Sequence, residues 1–166
     1  FAVSFDGPIA IRYPRGSAHQ GLREYQAPVE YGRSEIIRKG KKIAVLGVGS
    51  MIPSCMEICK GLKDDGYDPT FVNARFVKPL DVDLLDELAK DHSLFVTVEE
   101  NVKSGGYGEH VSAYMEACHP EIRVLSAAVW DRFVPQGNVE SLRSRIGLGV
   151  EDIRQAIEDS EELREQ

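Results

Sequence analysis

Three arginines carry the first chemical signal. Arg12 and Arg15 stand in the run Ile9-Ala10-Ile11-Arg12-Tyr13-Pro14-Arg15-Gly16, and Arg75 follows Thr70-Phe71-Val72-Asn73-Ala74. A guanidinium presents its N–H donors in a planar fork, so an arginine at a strand end can grip a phosphate or carboxylate with two bonds. Each can equally pair with one of the chain's 27 aspartates and glutamates. The second signal is the stretch from Thr97 to His110, which holds Glu99, Glu100 and Asn101 and then Ser104-Gly105-Gly106-Tyr107-Gly108. Glycines ahead of a helix expose backbone N–H groups to an anion, or they simply permit a tight turn. Their spacing here is not the dinucleotide fingerprint. Glu99 and Glu100 can neutralise a cation, act as an acid–base pair, or serve as a cap or ion pair at a domain interface.

Cysteine and histidine offer less. Cys55 and Cys59 are four residues apart on an expected helix and share a face. No further metal ligand stands near them, so they read as core. His19, His92, His110 and His119 fall in no metal-ligand spacing and no recognisable triad. No catalytic residue and no metal ligand is assigned.

The elements that must position these residues alternate. Ile9 to Tyr13 reads as a short strand, and Ser17 to Pro28 as a linker without a period. Tyr31 to Lys42 alternates weakly, as an edge strand or hairpin arm. Ile43 to Val48 is a continuous apolar run, the pattern of a strand buried on both faces. Ser50 is the expected N-cap of the next helix, with Pro53 in its first turn and Ile52, Cys55, Met56, Cys59 and Leu62 at helical spacing. Thr70 to Asn73 is a second strand, and Asp81 caps a helix carrying Leu84, Leu85 and Leu88. Leu94 to Val98 is a third strand, which places Glu99, Glu100 and Asn101 just after it. A helix follows the Gly-rich turn, then a strand over Ile122 to Ser126. Two helices are expected around Val139 to Ile146 and Glu151 to Glu162, with a solvated charged end. Alternating strands and helices imply βαβ units and a mostly parallel sheet with helices on both faces, a three-layer α/β/α architecture. Such sheets bind ligands outside the carboxyl ends of their strands.

Composition sets the bounds. At 166 residues, 42% of them hydrophobic, the chain can build one real core. A net charge of −7 argues against nucleic acid and anionic membrane as main partners. No apolar run approaches the roughly 20 residues of a membrane-spanning helix. Three cysteines without framework spacing point to reduced thiols and a cytoplasmic location. Phe1 opens directly into a strand-like run, as if cut from a longer chain.

At IRYPRG, NARFVKPLD, TVEENVKSGGYGEH and FVPQG the chain resembles the 1-deoxy-D-xylulose-5-phosphate synthases. The motifs fall in order and cover all but the linker. That resemblance implies a fold like the C-terminal domain of transketolase over residues 31–166. It implies a trailing strand of a pyrimidine-binding domain over residues 1–16, and a linker over 17–30. It implies a homodimer that uses thiamine diphosphate and Mg2+ to condense pyruvate with D-glyceraldehyde 3-phosphate, with loss of CO2. The product would feed isoprenoid and thiamine biosynthesis. Arg12 and Arg75 match the family's arginines for the acceptor phosphate. Arg15 matches the motif as a secondary or structural residue, and Glu99, Glu100 and Asn101 are site or interface residues. The family's metal motif, activating glutamate and catalytic histidines belong to earlier domains and have no counterpart here. The chain alone is therefore expected to bind no cofactor productively and to be inactive. Similar strings occur in transketolases and in the beta subunits of 2-oxoacid dehydrogenases, and the segment can also be read chiefly as a dimerisation scaffold.

Overall fold

The computed structural model describes residues 1–13, 19, 21–25 and 27–160. Arg15, four residues of the linker (17, 18, 20 and 26) and the last six residues lie outside that set. A five-stranded sheet forms the middle layer, in the order β1-β3-β2-β4-β5. Its strands are β1 (Glu35–Arg38), β2 (Lys42–Gly47), β3 (Thr70–Asn73), β4 (His92–Val102) and β5 (Arg123–Val129). Only β1 runs antiparallel, as an edge against β3. The other pairings are parallel.

Both faces of the sheet are covered. On one, α1 (Ile52–Asp64) and α5 (Val150–Glu158) pack over Ile43, Val45, Val96 and Val98. On the other, α2 (Val82–Leu88) and α3 (Tyr107–Cys118) pack over Ala44, Leu46, Val72 and Phe95. This is why β2 reads as an unbroken apolar run: odd and even residues enter different cores. The architecture is the expected α/β/α sandwich. Cys55 and Cys59 are both buried in the α1 core, as their spacing suggested.

Local chemistry sets the helix ends. Asp81 accepts from the Leu84 N–H at 3.3 Å and so caps α2. Its carboxylate also takes the Ser34 N–H at 2.7 Å and Arg33 at 2.9 Å, which fastens the start of β1 to α2. Asn138 caps α4 (Val139–Arg145) through the N–H groups of Glu140 and Ser141.

Three expectations change. Ile9 to Tyr13 forms no strand; Ile9, Ile11 and Tyr13 are exposed, and a strand persists only with a hydrogen-bonded neighbour. Ser50 does not cap α1: it sits in a 3-10 turn, Gly49–Met51, and Met51 holds the cap position. Finally, β4 runs on to Val102, so Glu99, Glu100 and Asn101 are its last residues and not a loop.

Candidate functional site

Side chains alternate along a strand, so neighbouring glutamates at the end of β4 face opposite layers. Glu99 points toward α3 and is 2% exposed. Its carboxylate accepts the Tyr107 N–H at 2.9 Å and the Gly108 N–H at 2.8 Å. A helix N-terminus offers orphan donors and the positive end of the macrodipole, which makes a buried carboxylate tolerable there. The Gly-rich turn thus has its own anion. Its other exposed donor, the Gly105 N–H, goes to Glu109. The turn is a tight structural joint, not an open anion cradle: a Cβ on Gly106 would stand 2.6 Å from Glu99 Oε1 and 2.7 Å from the Val102 carbonyl.

Two residues on, Gly108 lies against the sheet. A Cβ there would fall 2.1 Å from Ser126 Oγ and 2.5 Å from Thr97 Oγ1, two paired residues of β5 and β4. Neither hydroxyl is hydrogen-bonded, and both are buried. Gly108→Ala is therefore expected to push α3 off the sheet and lower stability by about 1–3 kcal/mol, measured by urea denaturation.

Glu100 faces the other way. The connections after β2 and β4 leave these adjacent strands in opposite directions, β2 toward β3 and β4 toward β5. The crevice between two such strands is where open α/β sheets receive ligands. It is filled by a charged cluster. Ser50, just past β2, donates to Glu100 Oε2 at 2.7 Å. Arg143 of α4 forks onto the same carboxylate, Nε to Oε1 and Nη2 to Oε2, each at 3.1 Å. Above it, Arg12 Nη2 reaches the Glu100 carbonyl at 3.5 Å, the outer limit of a hydrogen bond. Burial pushes the Glu100 carboxyl up, but the bonds from Arg143 and Ser50 and the charges of Arg143 and Arg12 outweigh it and hold it below its ordinary value. The stabilisation from this lowered value is complete above the ordinary 4.5 and disappears as pH falls through the lower folded value. Acid titration followed by circular dichroism should show Arg143→Ala losing stability against the parent mainly above that range, with the difference narrowing below it.

Arg75 stands on the same sheet edge, two residues past β3. Its backbone is in the left-handed region at φ 54°, a rare and mildly strained conformation for arginine. Asn73 Oδ1 steadies it by accepting the Arg75 N–H at 3.2 Å. The guanidinium forms an ion pair with Glu35 of β1 and donates to the carbonyls of Ala27 and Pro28, each at 3.2 Å. An aromatic group, Phe1, Phe5, Tyr31 and Phe76, packs the N-terminal segment beside this loop. The segment then continues to Arg12 over Glu100. Both sequence-selected arginines thus lie at the carboxyl edge of the sheet, Arg75 in the loop after β3 and Arg12 over the end of β4, the two strands that flank β2. Asn101 is half-buried and takes no part in the Glu99 and Glu100 contacts.

Ser50, Arg143 and Glu35 were not singled out as site residues by the sequence. Arg143 sits among ordinary helix-surface charges, and only the fold brings it 43 positions back to Glu100. Among the described residues no group of three His, Cys, Asp or Glu is arranged to hold a metal ion. These residues do not fit the magnesium-bound diphosphate that the resemblance implies for the full-length enzyme. His110 and His19 are exposed.

Comparison with known proteins agrees with this architecture. The family model described as "Transketolase, C-terminal domain" matches residues 32–153. A 1-deoxy-D-xylulose-5-phosphate synthase of Lachnoclostridium phytofermentans is 41% identical over 154 residues, covering 92% of this chain and 25% of that protein. Its counterpart in Dictyoglomus thermophilum is 40% identical over 157 residues, 94% of this chain and 25% of that one. The chain thus spans about a quarter of the length of these relatives. Among solved structures, a split-gene transketolase described as an inactive beta4 tetramer superposes with a TM-score of 0.76 at 28% identity, over 83% of this chain and 44% of that one. Campylobacter jejuni transketolase shares the fold at a TM-score of 0.57 and 18% identity, over 82% of this chain and 20% of its own. With the matched family, the parallel sheet and its covering helices all in accord, this chain belongs to the transketolase C-terminal domain family.

Proposed function

We propose that this chain is the C-terminal part of a 1-deoxy-D-xylulose-5-phosphate synthase, and that Arg12 and Arg75 hold the phosphate of D-glyceraldehyde 3-phosphate. The observation that carries this reading is the likeness to synthases across more than nine-tenths of the chain. Residues 1–16 belong to the preceding domain, 17–30 to a linker and 31–166 to this domain. Thiamine diphosphate, Mg2+ and the pyruvate chemistry reside in the remaining domains of a cytoplasmic homodimer. This segment alone is inactive. Its own part is electrostatic: a dianion needs converging cations, and two guanidiniums at one sheet edge hold the aldehyde in register for attack.

The test is Arg12→Ala and Arg12→Lys in the full-length synthase, with pyruvate and the aldehyde varied separately. Arg12 is exposed and makes one marginal hydrogen bond among the described residues, so truncation should leave the fold intact. Expected is a rise in KM for the phosphorylated aldehyde of about tenfold or more, with KM for pyruvate unchanged, and little rescue by lysine. Equal kinetics for both substrates would remove Arg12 from the site. A second reading, a chiefly architectural module, draws on the tetramer described for the split-gene transketolase. It predicts that Arg12 variants keep full activity while deletion of residues 31–166 dissociates the protein in sedimentation velocity.

A further inference from the structure

The donor count at Arg75 raises a difficulty that points to Glu35. A guanidinium has two forked edges, Nη1 with Nη2 and Nε with Nη2. Both use Nη2, and Nη2 already donates to the Ala27 carbonyl and to Glu35. Nη1 donates to the Pro28 carbonyl. No edge is left for a two-pronged grip on a phosphate until one acceptor gives way. The side chains of Arg75 and Glu35 are 14% and 10% exposed, so this ion pair is little screened by solvent.

We propose that Glu35 is a built-in competitor for Arg75: its displacement costs every anionic ligand the same free energy, a threshold that a dianion exceeds and a monoanion does not. This rests on the assignment of Arg75 to the acceptor phosphate. A monoanion that enters would trade one single-charge ion pair for another and gain nothing. A phosphate ester carries about −1.5 to −2 charge at pH 7 and gains nearly twice the attraction it breaks. The exchange is built to be local. Glu35 keeps a donor when it lets go, because its Oε1 already accepts the Ala27 N–H at 3.3 Å. Arg75 keeps its backbone, because the Asn73 side chain holds the left-handed turn without the guanidinium. Glu35 is fixed opposite Asn73 in the β1–β3 ladder, so carboxylate and turn share one frame. Specificity of this kind comes from rejecting the weaker ligand as much as from gripping the stronger one.

The probes are methyl phosphate, a dianion, and dimethyl phosphate, a fixed monoanion of similar shape. Each is measured as an inhibitor against D-glyceraldehyde 3-phosphate in the full-length synthase. In the parent, methyl phosphate should inhibit at about tenfold lower concentration or better. In Glu35→Gln, both probes should tighten by about tenfold, so that dimethyl phosphate becomes a measurable inhibitor while the ratio between them holds. A variant that weakens both ligands, or leaves both unchanged, overturns the proposal. If Glu35→Gln fails to fold, Glu35→Asp serves: the shorter arm loosens the pair and should tighten both probes, and unchanged inhibition by both overturns the idea. Arg75→Ala separates the two levels. If it leaves inhibition by methyl phosphate intact, the assignment of Arg75 itself is wrong. If it abolishes that inhibition while neither Glu35 variant tightens the probes, only the role of Glu35 falls.

Discussion

On the proposed function, Arg75→Ala in the full-length protein is expected to lower kcat/KM for D-glyceraldehyde 3-phosphate by roughly 30-fold to several-thousand-fold, the effect of removing one partner of a desolvated charge pair worth about 2–5 kcal/mol. KM for pyruvate should stay within about twofold, because the acceptor phosphate is not engaged in the earlier steps. The structure adds a second consequence. Truncation leaves the Glu35 carboxylate, 10% exposed, without its counter-ion. A buried charge stripped of its partner costs about 3–5 kcal/mol of stability. The two losses separate experimentally. Urea denaturation reads the folding cost, and kinetics on the folded fraction read the phosphate cost. Glu35→Gln with Arg75→Ala removes both charges and should recover stability but not acceptor affinity. Recovery of both would make Arg75 a structural residue only.

Glu99→Ala is the second large effect, and it concerns folding. Two charge-assisted bonds, at 2.9 and 2.8 Å, join this carboxylate to the first N–H groups of α3. Each such bond is worth about 1.5–3 kcal/mol, so their joint loss with two donors left unpaired predicts destabilisation of about 3–5 kcal/mol. Glu99→Gln should cost less, since its amide oxygen still accepts one N–H while its NH2 group opposes the other. Thermal unfolding should rank the parent above the glutamine and the alanine variants in that order. Amide exchange should show the excess opening concentrated in the first turn of α3. Equal destabilisation by glutamine and alanine would mean that the negative charge, and not hydrogen bonding, holds the turn.

Much of the fold was legible because it is written in local periods. Ile43 to Leu46 announces a strand buried on both faces, and Ile52 to Leu62 announces a helix with one apolar side. Asp81 marks a helix start by its side chain alone. Ile9 to Tyr13 misled for the complementary reason: alternation shows what a strand would bury, but pairing needs a partner that no local pattern supplies. Ser50 misled because a hydroxyl can accept from helix N–H groups or donate to an acceptor, and the acceptor it met, Glu100, is 50 positions away.

The same division runs through the site. Sequence by itself determined the family, the layer order and the place of Arg75 just past a strand end, because that position follows from chain order. It could not decide what each charge meets. Glu99 and Glu100 are adjacent and chemically alike, yet the pleat sends one under α3 and the other into the crevice between β2 and β4. Partner choice depends on three-dimensional distance between groups far apart in the chain, as with Arg143 and Glu100 or Arg75 and Glu35, 40 residues apart. Electrostatic energy falls with that distance and with solvent access, and neither quantity exists until the tertiary structure has formed.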